Sequence, residues 1–190
     1  SRDYVDYTDD IYVGYRYFET IPGTAEKVVY PFGYGLSYTT FDVETVSAGV
    51  VNSNCTSEAN KLYAKVRVTN TGKFSGKEVV QVYIAKPQGK LGKPAKELAA
   101  FEKTRELQPG ESQLMILTWE INDMASYDDL GKVKKSAYVL EAGSYDIYVG
   151  TSVRDVTKAD YSYILNQDVI TEQLSTKLVP TSLPKRMLAD

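Results

Sequence analysis

Histidine is absent from all 190 residues of this chain. That absence removes the commonest general base, the usual zinc ligand and every serine or cysteine nucleophile activated by an imidazole. Any chemistry would have to rest on carboxylates, lysine or tyrosine. A single cysteine, Cys55, excludes an internal disulfide framework and a multi-cysteine metal centre, so neither a metal nor a cofactor is expected. Cys55 lies in a polar loop where Asn54, Cys55 and Thr56 form a glycosylation sequon, relevant only in a secreting eukaryote. No apolar run reaches the roughly 18 residues of a membrane span, and no charged start leads into an apolar leader. A membrane partner is therefore not expected, and the segment leaves cytoplasmic and secreted locations both open. Positive charge is also in short supply, with a net charge of -3 and a pI near 5.2. Without a basic field, nucleic acid is not an expected partner.

What the chain has in quantity is tyrosine: 16, against 5 phenylalanines and 1 tryptophan, a bias toward contact surfaces that are dry at one end and wet at the other. The densest stretch is YPFGYGLSYTTF, Tyr30 to Phe41. Gly33 and Gly35 would let backbone pass close to bulky neighbours while Tyr30, Phe32, Tyr34, Tyr38 and Phe41 fill space. The segment reads as a joint between two bodies. Before it, Ser1 to Glu19 alternates acids with tyrosines and reads as an extended arm or short strand. Asp3, Asp6, Asp9 and Asp10 lack the glycine and terminal glutamate of a calcium loop and read as a solvated acidic face. Residues 1–41 are thus expected to be an arm and joint.

After Phe41 the pattern changes to short strands with period-two alternation. Leu62, Ala64, Val66 and Val68 alternate with polar neighbours, and Glu78 to Lys86 is apolar enough for a central strand. Glu97 to Leu107 has helical composition but sits where an edge strand fits, and strand is the expectation. Ser112 to Glu120 puts Leu114, Ile116 and Thr118 on one face and Met115, Leu117 and Trp119 on the other. Asn122 to Gly131 reads as a polar loop with room for one helical turn. Gly143 followed by Tyr145 resembles a tyrosine corner, with the phenol bonded back to nearby backbone, and Tyr161 to Leu165 reads as the last strand. Strands spaced this way predict an all-β, immunoglobulin-like or fibronectin type III-like sandwich over 42–167, followed by a linker or strap over 168–190 broken by Pro180 and Pro184.

Several of these stretches together resemble the C-terminal region of glycoside hydrolase family 3 β-glucosidases. They are Tyr12 to Glu19, Tyr30 to Phe41, Val68 to Pro87, Lys96 to Lys103, Leu107 to Ser112 and Glu141 to Asp155, and they match in order and spacing. The resemblance implies a fibronectin type III-like domain, preceded by an α/β sandwich whose last segment is the first of these motifs. It implies a parent that hydrolyses terminal β-D-glucosyl residues, with an aspartate nucleophile on a (β/α) barrel and an acid/base glutamate on the α/β sandwich. Neither catalytic motif is present here; Trp119 stands between Thr118 and Glu120, not beside an aspartate. The residues running on to Asp190 resemble members with permuted domain order, in which this domain leads into the barrel.

On this reading the partners are the barrel and α/β-sandwich domains of the same enzyme. Tyr12, Tyr15, Arg16, Tyr17, Phe32, Tyr34, Tyr38 and Phe41 are the expected interdomain contacts, with Arg16 pairing a carboxylate of the neighbour. Gly143 and Tyr145 are expected to be structural. The lysine-rich loop Lys86 to Lys96 is either a rim of the substrate cleft or a solvated surface loop. The carboxylate pairs Asp9/Asp10 and Asp128/Asp129 are the only neighbours resembling a glycosidase pair, which needs about 5 Å between carboxyls and one held protonated. Adjacent residues point apart in exposed sequence, so no catalytic residue is expected. An alternative role is a carbohydrate-binding module, in which Tyr12, Tyr15, Tyr17, Tyr34 and Tyr38 form a platform for β-glucan oligosaccharides.

Overall fold

Alternation of apolar and polar residues along the strands dictates the layers. The computed structural model describes residues 7–51 and 60–187, so Cys55, its sequon, Asp3 and Asp6 lie outside the described residues. A sheet of β1 (Phe41–Val50), β2 (Lys61–Asn70) and β5 (Ser112–Glu120) faces a second sheet in the order β4-β3-β8-β9. The second sheet comprises β3 (Val79–Ala85), β4 (Glu97–Lys103), β8 (Gly143–Gly150) and β9 (Val156–Leu165). Every ladder is antiparallel, with Val66 opposite Met115 in the first sheet and Val82 opposite Val149 in the second.

The core fills the space between these sheets. Leu62, Ala64, Val66 and Val68 of β2 meet Val80, Val82 and Ile84 of β3, with Tyr145, Ile147 and Val149 of β8 beside them. Met115, Leu117 and Trp119 turn inward while Leu114 and Ile116 stay exposed. Antiparallel pleating allows one wet face per sheet, and β5 uses it. Strand β3 is buried on both faces, because Gln81 and Tyr83 on its reverse side are covered by the N-terminal residues.

Three segments depart from the expected outline. The arm is not extended: Gly14 at φ 60 turns the chain into the short helix α1 (Tyr15–Thr20), and a single 3-10 turn follows at Ala25–Lys27. No side chain caps this helix, so its stability comes from aromatic packing, which overrides strand propensity. Asn122 to Gly131 contains a 3-10 turn at Asn122–Met124 but continues into β6 (Ser126–Asp128). Strands also run past Leu165: β10 (Val169–Gln173) pairs with β7 (Ala137–Leu140), which pairs with β6. The small strands β6 and β10 have weak alternation of their own and exist because β7 offers both a partner.

Candidate functional site

The aromatic flank begins where α1 lies on the reverse face of β3 and β4. Tyr15 stacks on Phe32 with ring centroids 4.3 Å apart and meets Tyr83 edge-on at 6.3 Å. Its hydroxyl accepts the Leu98 N–H at 2.9 Å, so one backbone donor of edge strand β4 is satisfied within the chain. Gln81 Nε2 donates to the carbonyls of Gly33 at 3.3 Å and Thr151 at 2.6 Å, tying the joint to the sheet. Gly33 sits at φ 81, and a Cβ there would lie 2.1 Å from Gln81 Oε1, so only glycine fits. Gly35 carries no such demand, since a Cβ there would meet nothing within 4 Å.

Beyond this anchored part the flank is open. Val29, Tyr30, Phe32 and Tyr34 are exposed, Leu36 is 88% exposed and Tyr38 96%. Tyr30 and Tyr34 stack on each other at 5.2 Å. Thr39 then turns inward to donate to Asn70 Oδ1 at 2.7 Å, and Phe41 packs against the sandwich core. Tyr12 is buried and Tyr17 half-buried against Phe18, so the tyrosines of the supposed sugar platform divide into inward and outward groups. Arg16 pairs within the chain: its guanidinium lies 3.2 Å from Glu97, whose other oxygen holds Lys86 at 2.5 Å.

The loop from Lys86 to Lys96 is not fully solvated. Lys86 is buried against Glu97, and burial, only partly offset by Glu97, holds its ammonium below the usual lysine range. Lys93 is 1% exposed and ion-paired to Glu141, itself 4% exposed. Glu141 also accepts the N–H groups of Lys90 at 2.6 Å and Leu91 at 3.2 Å, so one carboxylate clasps the loop. The adjoining corner is tight. Tyr145 donates its hydroxyl to the Glu141 carbonyl at 2.9 Å. Gly143, at φ 138, leaves room where a Cβ would press to 2.6 Å from Pro87.

Three of the four candidate carboxylates, Asp10, Asp128 and Asp129, make contacts within the chain, while Asp9 is exposed. Asp128 is buried, contrary to the exposed position its polar neighbours implied. It accepts the N–H groups of Gly131, Lys132, Val133 and Lys134 at 2.6–3.0 Å. Burial alone would raise its pKa, yet these donors outweigh it and hold the carboxyl below the usual range. Asp10 and Asp129 come together on the guanidinium of Arg186, and Met187 N–H bonds to the Thr8 carbonyl at 3.0 Å. Asp128 is turned to its backbone donors and Asp129 to Arg186, so this adjacent pair does not face a common point. Among the described residues no group of His, Cys, Asp and Glu could hold a metal ion, and no helix is long and apolar enough to cross a membrane.

Sequence reasoning missed the Glu141–Lys93 pair, the Asp128 nest and Arg154, which bonds Glu19 and the Ala25 carbonyl across the arm. The one available signal was Glu141 itself, a charge set between apolar Leu140 and Ala142, two residues before the corner glycine.

Comparisons with known proteins fit this geometry. Residues 78–153 match the fibronectin type III-like domain family. β-Glucosidase A of Butyrivibrio fibrisolvens is 61% identical over 196 residues, covering 99% of this chain and 24% of that protein. A crystal structure of a β-glucosidase from Paenibacillus barengoltzii superposes with a TM-score of 0.81 at 48% identity, over 89% of this chain and 18% of that one. A GH3 β-glucosidase of Bifidobacterium adolescentis gives 0.71 at 33% identity, over 87% and 22%. The chain thus spans a quarter or less of the length of these relatives. It carries a fibronectin type III-like domain and is similar to one part of β-glucosidases, a GH3 enzyme among them.

Proposed function

We propose that this chain is the non-catalytic structural domain of a family 3 β-glucosidase, and that it buttresses catalytic domains which hydrolyse terminal β-D-glucosyl residues. One observation carries the reading: the run from Val29 to Tyr38 leaves Val29, Tyr30, Leu36 and Tyr38 in solvent although the chain has a complete core of its own. Contiguous exposed apolar surface marks an interaction face. The relatives are at least four times longer, so the partner of that face is supplied by the rest of such an enzyme. The boundaries that follow are an arm and joint through Phe41, a sandwich body, and a strap after it. Tyr30, Phe32, Tyr34 and Tyr38 form the contact, while Tyr12, Tyr15, Arg16 and Phe41 hold the joint to the sandwich.

The test uses a family 3 β-glucosidase that contains this segment. Leu36→Asp with Tyr38→Asp is expected to lower its melting temperature by several degrees, about 2 kcal/mol for a buried apolar contact replaced by charge. Turnover per folded molecule is expected to stay within about twofold, because a buttress contributes to stability and not to the chemical step. An unchanged melting temperature would exclude the buttress. Hydrolysis of an aryl glucoside by the 190-residue chain alone, free of contaminating enzyme, would exclude the non-catalytic assignment.

A further inference from the structure

We infer that the outer edge of β5 is a self-association site, at which the strand pairs antiparallel with β5 of a second copy of this chain and joins two three-stranded sheets into one. Strand β5 ends the sheet β1-β2-β5, so one side of its backbone has no strand beside it. Ile121 N–H bonds to the Asn60 carbonyl and Asn70 N–H to the Glu111 carbonyl, each at 2.9 Å. Bonded and non-bonded pairs alternate in an antiparallel ladder, so the odd-numbered residues of β5 bond to β2 and the even-numbered ones turn their N–H and C=O groups outward. Arg105 occupies the start of the edge, reaching the Ser112 carbonyl at 3.5 Å and donating its own N–H to Gln113 Oε1 at 2.9 Å. From Leu114 to Thr118 the outward groups meet no strand of this chain.

Among the described residues every other edge strand is blunted. The ladders break register at Val46 in β1, Ala99 in β4, Ala159 to Tyr161 in β9 and Thr171 in β10. Strand β6 is only 3 residues long. Bulges and short strands are how sheet edges avoid pairing with another chain. By contrast β5 runs 9 residues in unbroken register with β2 and contains no proline, glycine, lysine or arginine. Its solvent face is not polar either, since Leu114 is 50% and Ile116 59% exposed.

The strand is complementary to itself. A two-fold pairing centred on Ile116 puts this residue opposite its own copy and Leu114 opposite Thr118, which brings the exposed apolar side chains together on one face. Glu120 is the one ionisable residue of the strand and meets Ser112, so no like charges stand opposite each other. Lys65 lies one strand behind Ile116, which leaves its two copies three strand spacings apart, about 14 Å and beyond the reach of screened repulsion in physiological salt. Arg67, behind Leu114, is already paired with Glu44 at 2.7 Å. The edge belongs to the other sheet from the one that Gly33 packs on, so it does not depend on what covers the Val29 to Tyr38 run.

Sedimentation equilibrium of the 190-residue chain, from about 10 μM to about 1 mM, tests the inference. One strand pair is a small interface, below about 1,200 Å², so a reversible dimer with a dissociation constant of about 100 μM is expected. Ile116→Lys, a change at an exposed position, is expected to weaken it at least about tenfold with little change in melting temperature. Leu114→Pro removes an outward N–H that β2 does not use and is expected to weaken it to a similar degree. In wild type, hydrogen exchange at the Leu114, Ile116 and Thr118 amides should slow as the dimer forms. Leu36→Ser with Tyr38→Ser is expected to leave the dimer unchanged. A monomer at every concentration overturns the inference, as does a dimer that survives both β5 substitutions or forms without slowing exchange at those amides. A dimer lost on the Leu36 and Tyr38 changes overturns it by moving the contact to the flank. Growth past the dimer into larger species overturns the closed two-fold pairing.

Discussion

Two tyrosine-rich regions of this molecule differ in what surrounds the rings, and under the proposed function the difference separates folding from assembly. In the sandwich, Tyr83 and Tyr145 are fully buried and both hydroxyls are paired: Tyr83 donates to Gln81 at 2.6 Å and Tyr145 to the Glu141 carbonyl. Burial raises both phenol pKa values, and the neighbouring Tyr15 adds to Tyr83 as Glu141 adds to Tyr145. On the flank, Tyr30 and Tyr38 keep most of their surface in water. A buried tyrosine needs its hydroxyl satisfied before burial is favourable. The inner set meets that condition inside the chain, whereas the outer set stays in solvent.

The comparison would be broken if inner and outer substitutions had similar effects on the chain by itself. The largest loss is expected at Lys93→Ala, which strands the buried Glu141 carboxylate. Urea unfolding should show about 4 kcal/mol, and a midpoint close to wild type would mean that the loop carries no clasp. Ile147→Ala removes a fully buried core side chain and is expected to cost about 3 kcal/mol in the same assay.

Asp128→Asn is expected to cost about 2 kcal/mol near neutral pH, because an amide oxygen replaces a carboxylate accepting backbone N–H groups. The pH dependence follows from the lowered folded-state pKa. The contribution is complete above the ordinary aspartate range and is lost as pH falls through the folded value. Wild type and variant should therefore converge in acid, and parallel curves down to low pH would contradict the nest. The smallest effect is expected at Leu36→Ser. In the 190-residue chain it should change stability by less than about 0.5 kcal/mol, since Leu36 is 88% exposed. A loss matching that of Ile147→Ala would erase the distinction between the two regions.

Particular residues show how much was legible beforehand. The alternation in Leu62 to Val68 states which face is buried, because a strand's side-chain period is fixed at two, whereas Ser112 to Glu120 has apolar residues on both faces and only packing turns Met115, Leu117 and Trp119 inward. Tyr15 and Tyr17 misled, since aromatic residues favour strands locally while in α1 Tyr15 stacks on Phe32 and Tyr17 packs edge-on against Phe18. The loop lysines misled for a related reason. A lysine is assigned to solvent by type, and only the distant Glu97 and Glu141 permit Lys86 and Lys93 to be buried. Asp128 followed the same pattern, since the backbone donors that enclose it come from a turn with no distinctive sequence.

By itself the sequence determined the class of the molecule. Period-two strands, turn residues and the lack of histidine are local properties, and together they specify a β-sandwich with no imidazole chemistry. Only the tertiary structure decided which charges lie inside, which tyrosines wait outside, and that β5 ends its sheet as an edge in unbroken register. Those outcomes depend on groups far apart along the chain. Burial and ion pairing are properties of a shared environment, and no stretch of sequence contains its own surroundings.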